Sequence, residues 1–379
     1  MSASQIAEIG RRSRNSFDSL DDNLNSIHQI VSSRYEFVDR IAIALYETST
    51  DMLKTFVSSN HDSIKLNRYE ARLTEVPSLL KLANSGQSRV VANIQNAFSS
   101  NSVHSNWLVE RGYQSSLTVP VYRGGKFAAF LFFDSKSDNA FDPNVVLFLE
   151  AFADLISQLF LLRIKLAHDL IGTVQIASGL ARLRDIETGQ HLERMAAYSR
   201  LMAQAVAERF DLSDEFIEYV FLFAPLHDVG KIGIPDSILL KPGKLDEQEW
   251  EVMRRHVEIG VEIINKMSTA LELESDMASR VMRNIVAFHH ERGDGSGYPN
   301  HLTLDQIPIE SRIIAIADVY DALSNKRPYK KAWSEEETVA ELRKEAALHR
   351  LDSDCVEALI SARSERLQIQ KMFEDKSES

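Results

Sequence analysis

The sequence predicts a multidomain protein, α+β in its first part and all-α in its second: an antiparallel sheet with helices, followed by an all-helical bundle. Three observations carry that reading. Apolar and polar residues alternate in two paired segments before residue 135, as in hairpins. From Phe152 onward the alternation gives way to helical spacing with few strand signals. The chain, at 379 residues, exceeds one typical domain. A hydrophobic content of 44% is ample for real cores, and 26% charged residues is ordinary for a globular protein. A net charge of -12 argues against a binder of nucleic-acid polymers, which needs a basic surface, but leaves room for a small anion held by a few local cations. The one cysteine, Cys355, excludes an intrachain disulfide framework or a cysteine-based zinc site and suits a reducing compartment.

Taken in order, Ile6, Ile9, Phe17, Leu20, Leu24, Ile27 and Val31 recur mostly three and four residues apart, which predicts an amphipathic helix over residues 1–34. "VDRIAIALYE" and "MLKTFVSS" alternate around the turn "ETSTD", giving a first hairpin. "SSLTVPVY" and "FAAFLFFD" flank "RGGK", giving a second. A short helical run around "PSLLKLANSG" and a polar region lie between the hairpins, so residues 35–160 form one α+β domain. With "LLKLANSGQSRVVANI" before the second hairpin and a closing helix after it, this order is similar to a GAF domain. With no chemical constellation of its own, this domain is expected to regulate by position, either by binding an unknown small ligand or simply by mediating dimerisation.

The opening "MSASQIAEIGRRSRNSF" lacks the apolar core of a signal peptide. The greasiest stretch, Val145 to Leu162, places Glu150, Asp154, Ser157 and Gln158 on one face, which reads as an amphipathic helix and not a membrane span. A cytoplasmic protein is expected. Residues 161–179 continue as a linker helix, and Leu155, Leu159, Leu162 and Leu166 form a short seam of coiled-coil type. Either that helix packs on its own domain, or it joins two copies in a homodimer.

The chemistry sits in residues 180–370. Six of the eleven histidines, His28, His61, His104, His168, His301 and His349, have unremarkable surroundings that suit surface or capping roles. The other five keep acidic or cationic company. In "DIETGQHLERM", Glu187 and His191 are four apart and share a helix face, a weak signal alone because solvated Glu–His neighbours are common. In "FAPLHDVGKIGIPD", His227 and Asp228 end an apolar helix, with Lys231 a turn beyond; a buried Asp needs a partner cation or hydrogen bonds. His256 in "EVMRRHVEIG" reads by itself as a core histidine. "RNIVAFHHERGDGSGYP" sets His289 and His290 side by side at a helix end, where both can reach neighbouring ions, before a glycine-punctuated loop that no helix continues. "RIIAIADVYDAL" buries Asp318 and Asp321 among Ile and Ala. Five histidines with at least three acids and no cysteine make the inventory of a hard-to-borderline site for two or three ions such as iron or manganese.

As a set, "HDVGKIGIPDSILLKPGKL", "HHERGDGSGYP" and "IPIESRIIAIADVYDALSNKRPYKKA" resemble the HD-GYP family of metal-dependent phosphodiesterases, over roughly Leu180 to Ile360. The resemblance implies an HD-type helical bundle that hydrolyses cyclic di-GMP to linear pGpG, and in some members on to GMP. It implies that His227 and Asp228 are the name-giving ligands, with Asp228 bridging two ions and acting in catalysis. His256, His289 and His290 would hold one metal, and His191 and Asp318 would complete the neighbouring site. Glu187 would permit a third ion. Lys231 would steady the phosphate or leaving group, Tyr298 would face the substrate, and Arg327 and Lys330 would grip the non-scissile phosphate; Asp321 falls in a supporting position. Iron is the first expectation for the metal and manganese the second. The chain departs from many relatives at Gly293, where they have an aromatic residue, at "NHLTL" after the Pro, and in "SNKRPY", which lacks an acid before the Arg. Those departures keep another cyclic dinucleotide such as cyclic GMP-AMP open as substrate; a rival of a different class is a non-hydrolytic receptor, whose usual mark, a lost metal ligand, is absent here.

Overall fold

The computed structural model describes residues 19–48, 50–61, 66–97, 103–182, 189–270, 277–325 and 332–373. The chain divides into two compact units, Met1–Lys165 and Leu166–Ser379.

The first unit is built on a six-stranded antiparallel sheet in the order β3-β2-β1-β6-β5-β4. Its strands are β1 (Arg40–Glu47), β2 (Met52–Asn60), β3 (Glu70–Arg72), β4 (Arg89–Val91), β5 (Ser115–Arg123) and β6 (Lys126–Ser135). The two hairpins read from alternation are β1–β2 and β5–β6, and β1 pairs with β6 to join them. β3 and β4, three residues each, are too short for alternation to reveal and form the two edges.

Alternation sends Ile41, Ile43, Leu117, Val119, Leu131 and Phe133 to one face. That face is covered by helix α1 (Leu20–Arg34), through Leu20, Leu24 and Val31, and by α5 (Pro143–Arg182), through Val145, Leu149, Ala153, Ile156 and Phe160. Ser19 caps α1 by accepting a hydrogen bond from the Asp22 N–H. The expected residues Ile6, Ile9 and Phe17 lie outside the described residues. The opposite face carries Ala42, Ala44, Phe130 and Phe132 against α2 (Pro77–Ser85). The short helices α3 (Ile94–Ala97) and α4 (Val103–Glu110) bring Ile94 and Leu108 into a small cluster with Val91 and Tyr113.

Two histidines of this unit correct the surface reading made for them. His28 is 2% exposed, with its ring nitrogens bonded to Ser59 Oγ and the Val38 carbonyl and its ring stacked on His61. His104 packs edge-on to Phe132. His104 is half-buried, and both rings owe their burial to partners distant in sequence, Ser59 and Val38 for His28 and Phe132 for His104.

α5 is one continuous helix of 40 residues. By length and composition Pro143–Leu162 could cross a membrane. Its face bearing Val145, Leu149, Ala153, Ile156 and Phe160 is nevertheless committed to the core of the sheet. Leu155, Leu159 and Leu162 of the seam are more than half exposed, so they do not pack on their own domain; the Leu166 side chain lies outside the described residues.

The second unit is helical: α6 (Gly189–Phe210), α7 (Asp214–Phe223), α8 (Asp236–Leu239), α9 (Glu247–Arg254), α10 (His256–Ala270), α11 (Met277–Phe288), α12 (Ile309–Ser324), α13 (Glu335–Ala347), α14 (Ser353–Ser361) and α15 (Arg363–Met372). Local sequence starts several of them. Ser213 caps α7, and Asp246/Glu249 and Ser334/Glu337 form capping boxes on α9 and α13. One core joins Met195, Tyr198 and Met202 of α6 with Val220 and Phe223 of α7, Val281 and Ile285 of α11, Ile313 and Ile316 of α12 and Leu359 of α14. α6, α7, α11 and α12 are therefore fixed against one another, and their ends carry the residues that follow.

Candidate metal centre

Most of the chemically loaded residues sit where a helix of this core begins, ends or gives way to a turn. α6 carries His191 in its first turn. The apolar face of α7 holds it in the core as far as Phe223; a tight turn, Ala224–Leu226, then delivers His227 and Asp228, and a second, Val229–Gly233, carries Lys231. His227 and Asp228 thus stand one turn beyond the apolar helix expected to end on them. His256 opens α10, and His289 and His290 directly follow α11. Asp318 and Asp321 lie three apart on α12.

One close approach makes the assembly possible. A Cβ on Gly230 would fall 1.8 Å from the His256 carbonyl oxygen and 2.5 Å from the Gly260 nitrogen. Only glycine lets the turn after Asp228 lie on the first turn of α10 and bring Asp228 to His256.

The side chains converge in two neighbouring groups, Asp228–His256–His289–His290 and His191–His227–Asp318, with the candidate donor atoms of each group within 4.8 Å of one another. The tautomers are fixed from outside. Nδ1 of His227 meets the Ala224 carbonyl at 2.9 Å, and Nδ1 of His256 meets that of Met253 at 2.7 Å. Nδ1 of His289 lies 3.1 Å from the Ile285 and Val286 carbonyls. A carbonyl can only accept, so each Nδ1 carries the hydrogen and each Nε2 turns a lone pair inward. His191 follows the same pattern, with Nδ1 2.6 Å from Asp321 Oδ2. Nε2 of His191, His256 and His289 and Oδ1 of Asp228 are buried without a hydrogen bond, although His256 Nε2 is 3.2 Å and His289 Nε2 3.7 Å from that oxygen. Buried lone pairs facing one another are costly unless a cation lies among them. A nitrogen-and-oxygen donor set without sulfur fits divalent metal ions. The cluster can hold metal, by the chemistry of its atoms.

Electrostatics agree with that arrangement. Burial resists ionisation of Asp228, but Lys231, whose Nζ is 2.8 Å from Oδ2, and His227, whose Nε2 is 3.1 Å from it, outweigh burial and hold the carboxyl well below the usual carboxylate range. Asp321 is treated alike: burial raises its pKa, and the hydrogen bonds from His191 and Arg194 bring it lower still. Arg194 grips Asp321 with Nε at 2.6 Å and Nη2 at 3.1 Å, and Asn325 Nδ2 adds a bond at 2.9 Å. Burial and the neighbouring His289 keep His290 neutral, and burial and Asp228 keep the Tyr298 hydroxyl protonated.

The glycine-punctuated loop folds back as its composition requires. Gly295 takes φ +79°, open to glycine at no steric penalty. Tyr298 returns to stack on His290, with ring centroids 4.7 Å apart and planes 27° apart. Glu291, 2% exposed, ties the returning strand by accepting the N–H groups of Asn300 at 2.7 Å and Leu302 at 3.0 Å.

Of the residues selected from sequence, His191, His227, Asp228, Lys231, His256, His289, His290, Tyr298 and Asp318 come together here. Glu187, Arg327 and Lys330 lie outside the described residues. Sequence reasoning missed Arg194, Asn325 and Glu291. Arg194 carried a usable signal, standing three residues after His191 on the same helix face. Asn325, the C-cap of α12, likewise stands four residues after Asp321, whereas the partners of Glu291 come from loop geometry that no periodicity encodes.

Residues 182–355 match the HD domain family and residues 20–160 the GAF domain family. The chain is similar to the 3'3'-cGAMP-specific phosphodiesterase 2 of Vibrio cholerae serotype O1, 44% identical over 192 residues, 51% of this chain and 34% of that protein. The cyclic di-GMP phosphodiesterase response regulator RpfG of Xanthomonas campestris pv. campestris is 44% identical over 191 residues, 50% of this chain and 47% of that protein. A cyclic di-GMP phosphodiesterase of Thermotoga maritima is 38% identical over 212 residues, 55% of this chain and 54% of that protein. The chain thus spans about a third to a half of the length of these curated relatives. It carries a GAF domain followed by an HD domain.

Proposed function

We propose that this chain is a metal-dependent phosphodiesterase of the HD-GYP type that hydrolyses cyclic di-GMP to linear pGpG under the control of its GAF domain, a third ion permitting a second cut to GMP. The observation that carries the reading is the convergence of inward-facing Nε2 lone pairs with Asp228 at two adjoining groups. The names of the relatives, phosphodiesterases of cyclic dinucleotides, support it.

His256, His289, His290 and Asp228 would hold one ion and His191, His227 and Asp318 its neighbour, with Asp228 between them; Glu187 would add a third. Iron is our first assignment and manganese our second. When bound, such ions neutralise charge on the phosphoryl oxygens and lower the pKa of coordinated water toward neutrality. The protein's own groups do the rest. Lys231, beside Asp228, supplies a positive charge and a proton donor to the departing oxygen. Tyr298, kept protonated, offers a hydroxyl donor at the mouth of the site. Arg327 and Lys330 would hold the phosphate that is not cut.

The test is chromatography of products from cyclic di-GMP after anaerobic purification with metal quantitation. Linear pGpG and GMP are expected from wild type and none from Asp228→Ala; an equally active Asp228→Ala protein would contradict the assignment. A second reading, cleavage of cyclic GMP-AMP, is favoured by the relative specific for that nucleotide. Competition between the two substrates separates the readings. We also place the protein in the cytoplasm and assign it a homodimer, supported by the exposed Leu155, Leu159 and Leu162. The GAF domain can control turnover only if a ligand prefers one of two states of the chain.

A further inference from the structure

Beside the metal centre stand two arginines with unspent hydrogen-bond donors. Arg254, the last residue of α9, is exposed, and its guanidinium carbon lies 5.4 Å from the Tyr298 ring centroid. Among the described residues no carboxylate or other acceptor meets it. Arg292, in the glycine loop, is half-buried, and its Nη1 is shut off from solvent without a hydrogen-bond partner. Its charge acts on both His290 and Tyr298. Lys231 differs, because Asp228 at 2.8 Å already compensates it.

A guanidinium with donors to spare can take an anion, and one with a buried unpaired N–H lowers its free energy by doing so. Both arginines act on one tyrosine, and each guanidinium presents a planar fork of N–H donors that matches phosphate oxygens. Tyr298 stacks on His290 and at the same time meets Arg254, so Arg254 lies at the edge of the metal groups and not on a remote surface. The surroundings suit a nucleotide: Trp250, 47% exposed, is one helical turn before Arg254 on the same face of α9.

We propose that Arg254 and Arg292 form an anion subsite beside Tyr298 that takes a phosphate of the nucleotide substrate. The inference rests on the phosphodiesterase reading. The subsite is separate in sequence from Arg327 and Lys330 and acts on substrate positioning, while the metal groups are built from other residues.

The experiment measures KM, kcat and bound metal for the full metal-loaded chain and for Arg254→Ala, Arg254→Lys and Arg292→Lys, with cyclic di-GMP and cyclic GMP-AMP. The same proteins are titrated with pGpG as a competitive inhibitor. Arg254 is exposed, so its variants test the subsite even where Arg292→Lys disturbs the loop. Arg254→Ala is expected to raise KM and the pGpG inhibition constant roughly tenfold or more, with kcat and metal content near wild type and partial recovery in Arg254→Lys. KM and inhibition constants within twofold of wild type overturn the inference, as does a fall in kcat that follows loss of metal. A wild-type chain that cleaves neither nucleotide removes the functional reading itself, and the subsite with it.

Discussion

Asp321 shows how a side chain one step removed from the metal groups governs them. It accepts from His191 Nδ1 and is held by two bonds from Arg194 and one from Asn325, so the imidazole is locked with Nε2 inward. Asp321→Asn keeps the shape but weakens that lock, and metal affinity of the His191 group is expected to fall roughly 10- to 100-fold, measured by competition with a chelator of known affinity. Unchanged affinity would assign Asp321 to folding alone. His28 gives a second residue-scale expectation. Burial lowers its pKa from 6.5 to about 4. Between those values the unfolded chain takes up a proton that the folded chain refuses, so stability linked to His28 is present at neutral pH and lost as pH falls. The full effect is about 3 kcal/mol. Thermal melts at pH 7 and pH 5 should show a smaller acid-induced drop in His28→Gln than in wild type; equal drops would remove His28 as the cause.

Elements bring the residues together, and glycines set how closely. Gly230→Ala would thrust a methyl into the His256 carbonyl, separating the turn after Asp228 from α10. A loss of roughly 1–3 kcal/mol is expected in thermal unfolding, together with lower metal content. A stable, fully metallated Gly230→Ala protein would show that the approach can relax without harm. The elements also mark what a sequence can disclose. β1, β2, β5 and β6 were legible because each is eight or more residues long and bounded by turn residues, with apolar side chains on the faces they bury. β3 and β4 were not, because three residues do not establish a period. The histidines and acids of the metal groups were legible through motif and spacing. Arg254 and Arg292 passed unremarked, since what distinguishes them is the absence of an acceptor around them, and that exists only once the chain is folded.

For the whole molecule, the sequence pattern and the family matches agree on a GAF domain followed by an HD domain. α5 offers a testable expectation about assembly: Leu159→Glu on its exposed seam should convert a dimer to a monomer in light scattering, and an unchanged mass would exclude that face. The entire functional account depends on the described His and Asp groups being filled by ions. The most direct measurement is metal stoichiometry by elemental analysis of anaerobically purified protein, for wild type and for His289→Ala and Asp228→Ala. The account predicts two or three ions per wild-type chain, with at least one lost in each variant. A wild-type chain with no stoichiometric metal, or variants that keep the full complement, would contradict it.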